Sequence, residues 1–167
     1  MTLSCFWGSS QDKHRRIVQL MFFSVVSTAV FMLDRITKNM AASRLDIGQS
    51  VEVVPNIFNI TLIFNKGAAF GLFKNLTALF ALFSAAVIIF IIFYIWKNTG
   101  TGIAVLAGFG LILGGAAGNL VDRVRLGYVI DFLDFKVWPV FNIADSSITI
   151  GTALLAAMML FGSRTRP

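Results

Sequence analysis

Four long runs without charge constrain this chain more than any other feature. Residues 17–33, 76–96 and 103–121 hold 17, 21 and 19 residues with no charged side chain. Residues 141–163 hold 23, with Asp145 as the only charge. A helix needs about 17–25 residues to cross the hydrocarbon core of a bilayer, so each run is long enough to span. The chain is 57% hydrophobic and 13% charged, whereas a soluble domain is about 45–50% apolar and roughly 25% charged. The expected fold is therefore a membrane all-α bundle of four transmembrane helices, at about 17–36, 76–96, 103–121 and 141–162. At 167 residues, it is read as a single integral membrane domain over 1–167. The basic flank of the first run resembles that of a cleaved signal peptide. The run is long, however, and passes into Asp34-Arg35-Ile36-Thr37-Lys38 without a small-x-small cleavage site.

The segment between the first two runs differs in character. Residues 50–65 are dense in Val, Ile, Phe and Thr, with Pro55-Asn56 as a break, which reads as two short strands. Residues 39–75 are thus expected to form a small β-containing insertion outside the hydrocarbon, with residues 122–140 on the same side. Lys66-Gly67-Ala68-Ala69-Phe70-Gly71 follows the strands, and its small residues permit tight turns or movement. An even number of spans puts both termini on one side. Lys13, Arg15, Arg16, Lys97, Arg164 and Arg166 lie in the tails and the short loop. Their density points to cytoplasmic termini and a periplasmic insertion. The net charge of +6 is spread singly over segment ends and forms no continuous stripe, which speaks against nucleic acid as a partner.

The single cysteine, Cys5, and single histidine, His14, remove most hydrolytic chemistries. A Ser-His-Asp or Cys-His arrangement needs a histidine near the site, and a histidine-rich zinc site needs several. Glu52 is the only glutamate, so acid–base work falls on seven aspartates. Charges at membrane depth are costly and are functional candidates by default. Asp145 lies about one turn into the fourth run, and Asp131 sits in the apolar stretch Tyr128-Val129-Ile130-Asp131-Phe132. Asp34 and Lys38 close the first span at i,i+4 spacing, which allows an ion pair. Asp122 and Asp134 have the neighbouring cations Arg123 and Lys136, expected to hold them in structural pairs. Two carboxylates sharing one proton hydrolyse an amide without histidine or metal, and Asp131 with Asp145 are the candidates. A proton-coupled transporter or channel subunit is the alternative, but its carboxylates belong near the bilayer midplane. An anchoring protein without activity is a second alternative.

Five segments then carry a resemblance: Asp34-Arg35-Ile36-Thr37-Lys38; Asn65-Lys66-Gly67-Ala68-Ala69-Phe70-Gly71; Gly114-Gly115-Ala116-Ala117-Gly118-Asn119-Leu120-Val121-Asp122-Arg123; Val129-Ile130-Asp131-Phe132; and Phe141-Asn142-Ile143-Ala144-Asp145-Ser146. In this order the chain resembles the lipoprotein signal peptidases (signal peptidase II), over most of its length. The resemblance implies an aspartic endopeptidase, with Asp131 and Asp145 as the catalytic pair. Asn65, Gly71, Asn119, Arg123 and Asn142 would line the site or bind substrate, and Asp34 and Lys38 would support it. It further implies a multi-pass protein of the bacterial inner membrane, working as a monomer near the periplasmic face amid membrane phospholipid. Its substrates would be prolipoproteins already carrying a diacylglyceryl group, cut before the lipidated cysteine. No cofactor is implied, and globomycin-type peptides would be inhibitors.

Overall fold

The computed structural model describes residues 10–67, 77–98 and 100–161. Four helices are long and apolar enough to cross a membrane. They are α1 (Ser10–Arg44), α2 (Thr77–Lys97), α3 (Ile103–Leu126) and α4 (Ile143–Phe161). Three strands accompany them: β1 (Ser50–Val54), β2 (Phe58–Asn65) and β3 (Val129–Asp134). They form one antiparallel sheet in the order β1-β2-β3. The two strands expected in residues 50–65 are present, joined by a turn in which Asn56 adopts φ +58°.

Two features depart from the sequence reading. The helix carrying Asp34 and Lys38 does not close there but continues to Arg44, so both side chains lie inside a helix and face its neighbours. The stretch around Asp131, expected to be a connection, is a strand at the edge of the sheet. Gly127 makes this possible. It caps α3 with φ +77°, and its N–H donates to the Arg123 carbonyl. That left-handed backbone suits glycine and turns the chain directly from helix into β3.

α3 is the central helix: it packs on α1, α2 and α4, whereas among the described residues the backbone of α2 approaches neither α1 nor α4 closely. α2 meets α1 through side chains, with the Arg16 guanidinium donating to the Trp96 carbonyl and Phe23 packing near Ile91 and Ile95. The glycines of α3 set the helix spacing. A Cβ on Gly115 would lie 2.5 Å from the Ala144 carbonyl oxygen of α4 and 2.9 Å from Ile148 Cγ1. One on Gly114 would meet the Ser27 carbonyl of α1. Small residues of this kind let membrane helices approach backbone to backbone.

The sheet sits against the end of the bundle where α1 and α3 finish and α4 begins. Alternation along β3 sends Ile130 and Phe132 into an apolar cluster with Leu62 and with Ala41 of α1. Asp131 consequently points the other way, toward α3 and α4. Asp131 pairs in register with Ile63, and Val129 with Asn65. Asn65 and Asp131 are therefore diagonal neighbours on one face, within side-chain reach.

We expect Gly115→Val to destabilise the α3–α4 contact, because overpacking costs about 1–3 kcal/mol. Thermal unfolding in bilayer nanodiscs should show a lower Tm. Gly102→Ala, where nothing lies within 4 Å of the added carbon, should leave it unchanged.

Candidate active site

The candidate residues in the described part of the chain reach this end of the bundle on five different elements. Asp34 and Lys38 come from α1, Asn65 from β2, Asn119 and Arg123 from α3, Asp131 from β3, and Asn142 and Asp145 from the start of α4. Gly71, with Ala68-Ala69-Phe70, lies outside the described residues.

The beginning of α4 shows how local structure places a carboxylate. Asn142 immediately precedes the helix, and its Oδ1 accepts the Asp145 backbone N–H at 2.9 Å. This is an N-cap interaction satisfying one of the helix's free donors. The Ala144 N–H is satisfied from another helix, by Asp34 Oδ1 at 3.0 Å. The same Asn142 turns its Nδ2 to Asp131 Oδ1 at 2.6 Å. One asparagine therefore caps the helix bearing Asp145 and donates to Asp131.

The other two asparagines work alike. Asn65 Nδ2 donates to Asp131 Oδ2 at 2.9 Å, and its Oδ1 accepts the Gly67 N–H. Asn119 Nδ2 donates to Asp145 Oδ1 at 2.8 Å, and its Oδ1 accepts from Lys38 Nζ at 2.8 Å. In all three, an obligate donor on the far side dictates which end of the amide faces the aspartate. Both oxygens of Asp131 are thus engaged, whereas among the described residues Asp145 receives one side-chain donor.

Beneath this layer lies a buried ion cluster. Lys38, Asp34 and Asp122 are each 0% exposed. Lys38 Nζ lies 2.9 Å from Asp34 Oδ2 and 2.8 Å from Asp122 Oδ2. The Asp34 contact is an ion pair without aligned hydrogen-bond geometry. Arg35 pairs with Asp122 and, at 3.5 Å, with Asp34, so two cations balance two anions. Gly118 leaves the space for Asp34, since a Cβ there would strike its carboxylate.

The i,i+4 pairing of Asp34 with Lys38 is present as expected. Asp122 does not pair with Arg123 but with Arg35 and Lys38 of α1. Adjacent residues on a helix point in different directions, so Asp122 faces α1 while Arg123 faces the cavities. Asp134 likewise does not pair with the Lys136 ammonium, which reaches Glu52. It accepts instead from the Thr61 hydroxyl and the Lys136 backbone N–H. Asp122 and Arg35 belong to the site's support, and sequence reasoning missed this. The available signal was that Asp122 lies three residues from Asn119, on one helix face.

Two cavities meet at Asp145. One of about 230 Å³ is lined by Asn65, Phe80, Arg123, Asp131, Trp138 and Asp145, among others. A second of about 190 Å³ runs between α2, α3 and α4, past Phe83, Val87, Ile112 and Ile148. Phe80, Arg123 and Asp145 line both, and the Arg123 guanidinium lies over the Phe80 ring, 5.6 Å from its centroid. Asp131, on its strand outside the helices, has its pKa pushed up to about 7. Burial is the main cause and the charge of Asp145 adds to it, while the Asn65 and Asn142 bonds and the Lys38 charge oppose it. Burial disfavours the ionised form, and donors aimed at it favour it.

Four spanning-length helices with paired carboxylates at one end define a multi-pass membrane protein built around a polar site. The signal peptidase (SPase) II family matches residues 26–161. A lipoprotein signal peptidase of Halothermothrix orenii is 44% identical over 131 residues, covering 78% of this chain and 90% of that protein. One from Pelotomaculum thermopropionicum is 41% identical, covering 84% and 92%. A bacterial membrane enzyme solved by the in meso method at 2.3 Å resolution superposes with a TM-score of 0.80 at 33% identity, covering 86% of this chain and 90% of that one. The chain belongs to the signal peptidase II family and is a peptidase.

Asn142→Asp keeps an acceptor to cap α4 but replaces the donor facing Asp131 with a negative charge. Both changes favour the protonated form of Asp131, so its titration should move upward from about 7. Infrared difference spectroscopy against Asp131→Asn backgrounds would read that shift.

Proposed function

We propose that this peptidase removes the signal peptide from diacylglyceryl-modified prolipoproteins, cutting before the lipidated cysteine, with Asp131 and Asp145 as its catalytic dyad. The observation that carries this reading is the convergence of the two carboxylates on one cavity, each fed by asparagine donors. Membership of the signal peptidase II family supports the substrate class.

The hydrogen bonds distribute the roles. Asp131 accepts one N–H on each oxygen, which favours its ionised form. Asp145 has Oδ1 engaged by Asn119 and keeps Oδ2 for the shared proton. The Asp131 carboxylate takes a proton from a water as the water oxygen bonds to the scissile carbonyl carbon. Asp145 delivers its proton to the carbonyl oxygen, giving a neutral tetrahedral diol. The proton gained by Asp131 passes to the amide nitrogen as the C–N bond breaks, and a diol hydroxyl returns its proton to Asp145. Placing acid and base in a dry site is how one pair serves both steps.

The gap between α2 and α4 is the route for the substrate. Its walls, Phe83, Val87, Ile112 and Ile148, are apolar, and it leads to Asp145. A membrane-embedded signal peptide fits such a slot from the side while its acyl chains stay in lipid. The site then lies near the periplasmic face of the inner membrane, with both termini cytoplasmic.

A cleavage assay with lipidated substrate tests this. Either Asp131→Asn or Asp145→Asn should lower turnover by more than about 10²–10⁴-fold while the protein stays folded, because asparagine cannot take or give the proton. Mass analysis should show a product beginning at the modified cysteine. Full activity in either variant, or cleavage elsewhere, overturns the proposal. The rate should follow a bell in pH. Acid adds a second proton and removes the base. Alkali strips the shared proton and removes the acid. The limbs belong to the coupled pair.

A further inference from the structure

We infer that Lys38 is a positioning residue for the reaction, acting on the dyad through the carboxamide of Asn119. The inference rests on the dyad reading above. Lys38 is 0% exposed, and its ammonium meets Asp34, Asp122 and Asn119 Oδ1. None of its hydrogen bonds goes to Asp131 or Asp145.

An asparagine side chain has two ends of nearly equal shape, and only its partners decide which end points where. Asn65 and Asn142 are held by backbone N–H groups of Gly67 and Asp145. Those donors cannot be lost by substitution of a side chain. Among the described residues, Asn119 has no backbone donor on its oxygen. Its Oδ1 accepts from Lys38 at 2.8 Å and from Asn142 Nδ2 at 3.2 Å, and Lys38 is the charged one of the two. An ammonium only donates, so a flipped Asn119 would set its NH₂ against a cation and its oxygen against Asp145. Lys38 therefore aims the Asn119 donor at Asp145 Oδ1 and leaves the other oxygen to hold the proton.

The cluster also grips the chain beside each aspartate. Asp34 Oδ1 holds the Ala144 N–H, one residue before Asp145. Asp122 Oδ2 holds the Ile130 N–H at 3.3 Å, one residue before Asp131. Both carboxylates meet Lys38. The charged groups facing it are Asp34 on its own helix and Asp122 on α3, with Arg35 behind them. Asp131 on β3 and Asp145 on α4 feel its charge across the asparagines.

The test compares charge-balanced variants in nanodiscs. Lys38→Met with Asp122→Asn removes one cation and one anion, and leaves Arg35 with Asp34. Relative to Asp122→Asn alone, it should lower kcat at least tenfold, leave KM within about threefold, and displace the pH profile. In an Asn119→Ala background the same addition of Lys38→Met should cost less than about half the fold-loss in kcat seen with Asn119 in place, since the relay is already cut and only the direct charge and the grip on the neighbouring backbone are left to lose. Losses that multiply in that background, or an undiminished kcat in the folded charge-balanced variant, overturn the inference. A second measurement needs no variant to fold. In the wild-type enzyme, labelled at asparagine nitrogen, the Asn119 side-chain amide should exchange slowly and titrate with the dyad. A freely exchanging amide that ignores the dyad's titration overturns the inference as well. Asp145→Asn is run alongside. If it is active, the dyad reading fails. If it is inactive while Lys38→Met/Asp122→Asn keeps full kcat, only the role given to Lys38 fails.

Discussion

An ammonium buried between two carboxylates is costly to create and more costly to break. Desolvating each ion takes several kcal/mol, and removing one partner of a buried pair costs about 3–5 kcal/mol, because a bare charge is left behind. Lys38, Asp34 and Asp122 are in that position. Their helices, α1 and α3, must stay in register for the charges to meet. The third helix joins through the Ala144 N–H, and the sheet through the Ile130 N–H. Four elements are thus tied to one small polar centre in an otherwise apolar bundle.

That centre explains why the glycines of α3 matter locally. Gly118 makes room for the Asp34 carboxylate, and Gly115 lets the Ala144 backbone come close. With larger residues the helices would stand apart, and the hydrogen bonds near 3 Å between them would not form. Apolar packing at the other end of the bundle, around Phe23, Ile91, Ile95 and Leu106, holds α2 against α3 but does not close it onto α4. The opening between α2 and α4 follows from which faces are sticky.

Much of the fold was legible in the sequence because its signals are local. Hydrophobic runs of about 20 residues mark helices of spanning length whatever their neighbours do, and residues 50–65 show β-forming composition around a Pro55-Asn56 turn. β3 was less visible. Six residues including two aspartates read as a connection, and their strand character depends on pairing with β2. The end of α1 was also misplaced, since charged residues inside a helix resemble its terminus until a partner helix supplies their counter-charges.

The site divides along the same line. The sequence by itself determined the residue types: one histidine, one cysteine, aspartates in apolar runs, and asparagines beside them. These restrict the hydrolytic chemistry to carboxylates, and the ordered motifs point to the family. Tertiary structure alone decided the partners. Asp122 left its neighbour Arg123 for Lys38 and Arg35, 84 and 87 positions away along the chain, and Asp134 left the Lys136 ammonium for Thr61. A charge in a low-dielectric setting is held by whichever counter-charge lies within about 3 Å, at energies that fall with distance in space. Separation along the chain does not enter that energy, so only the packed helices and the paired strands could settle it.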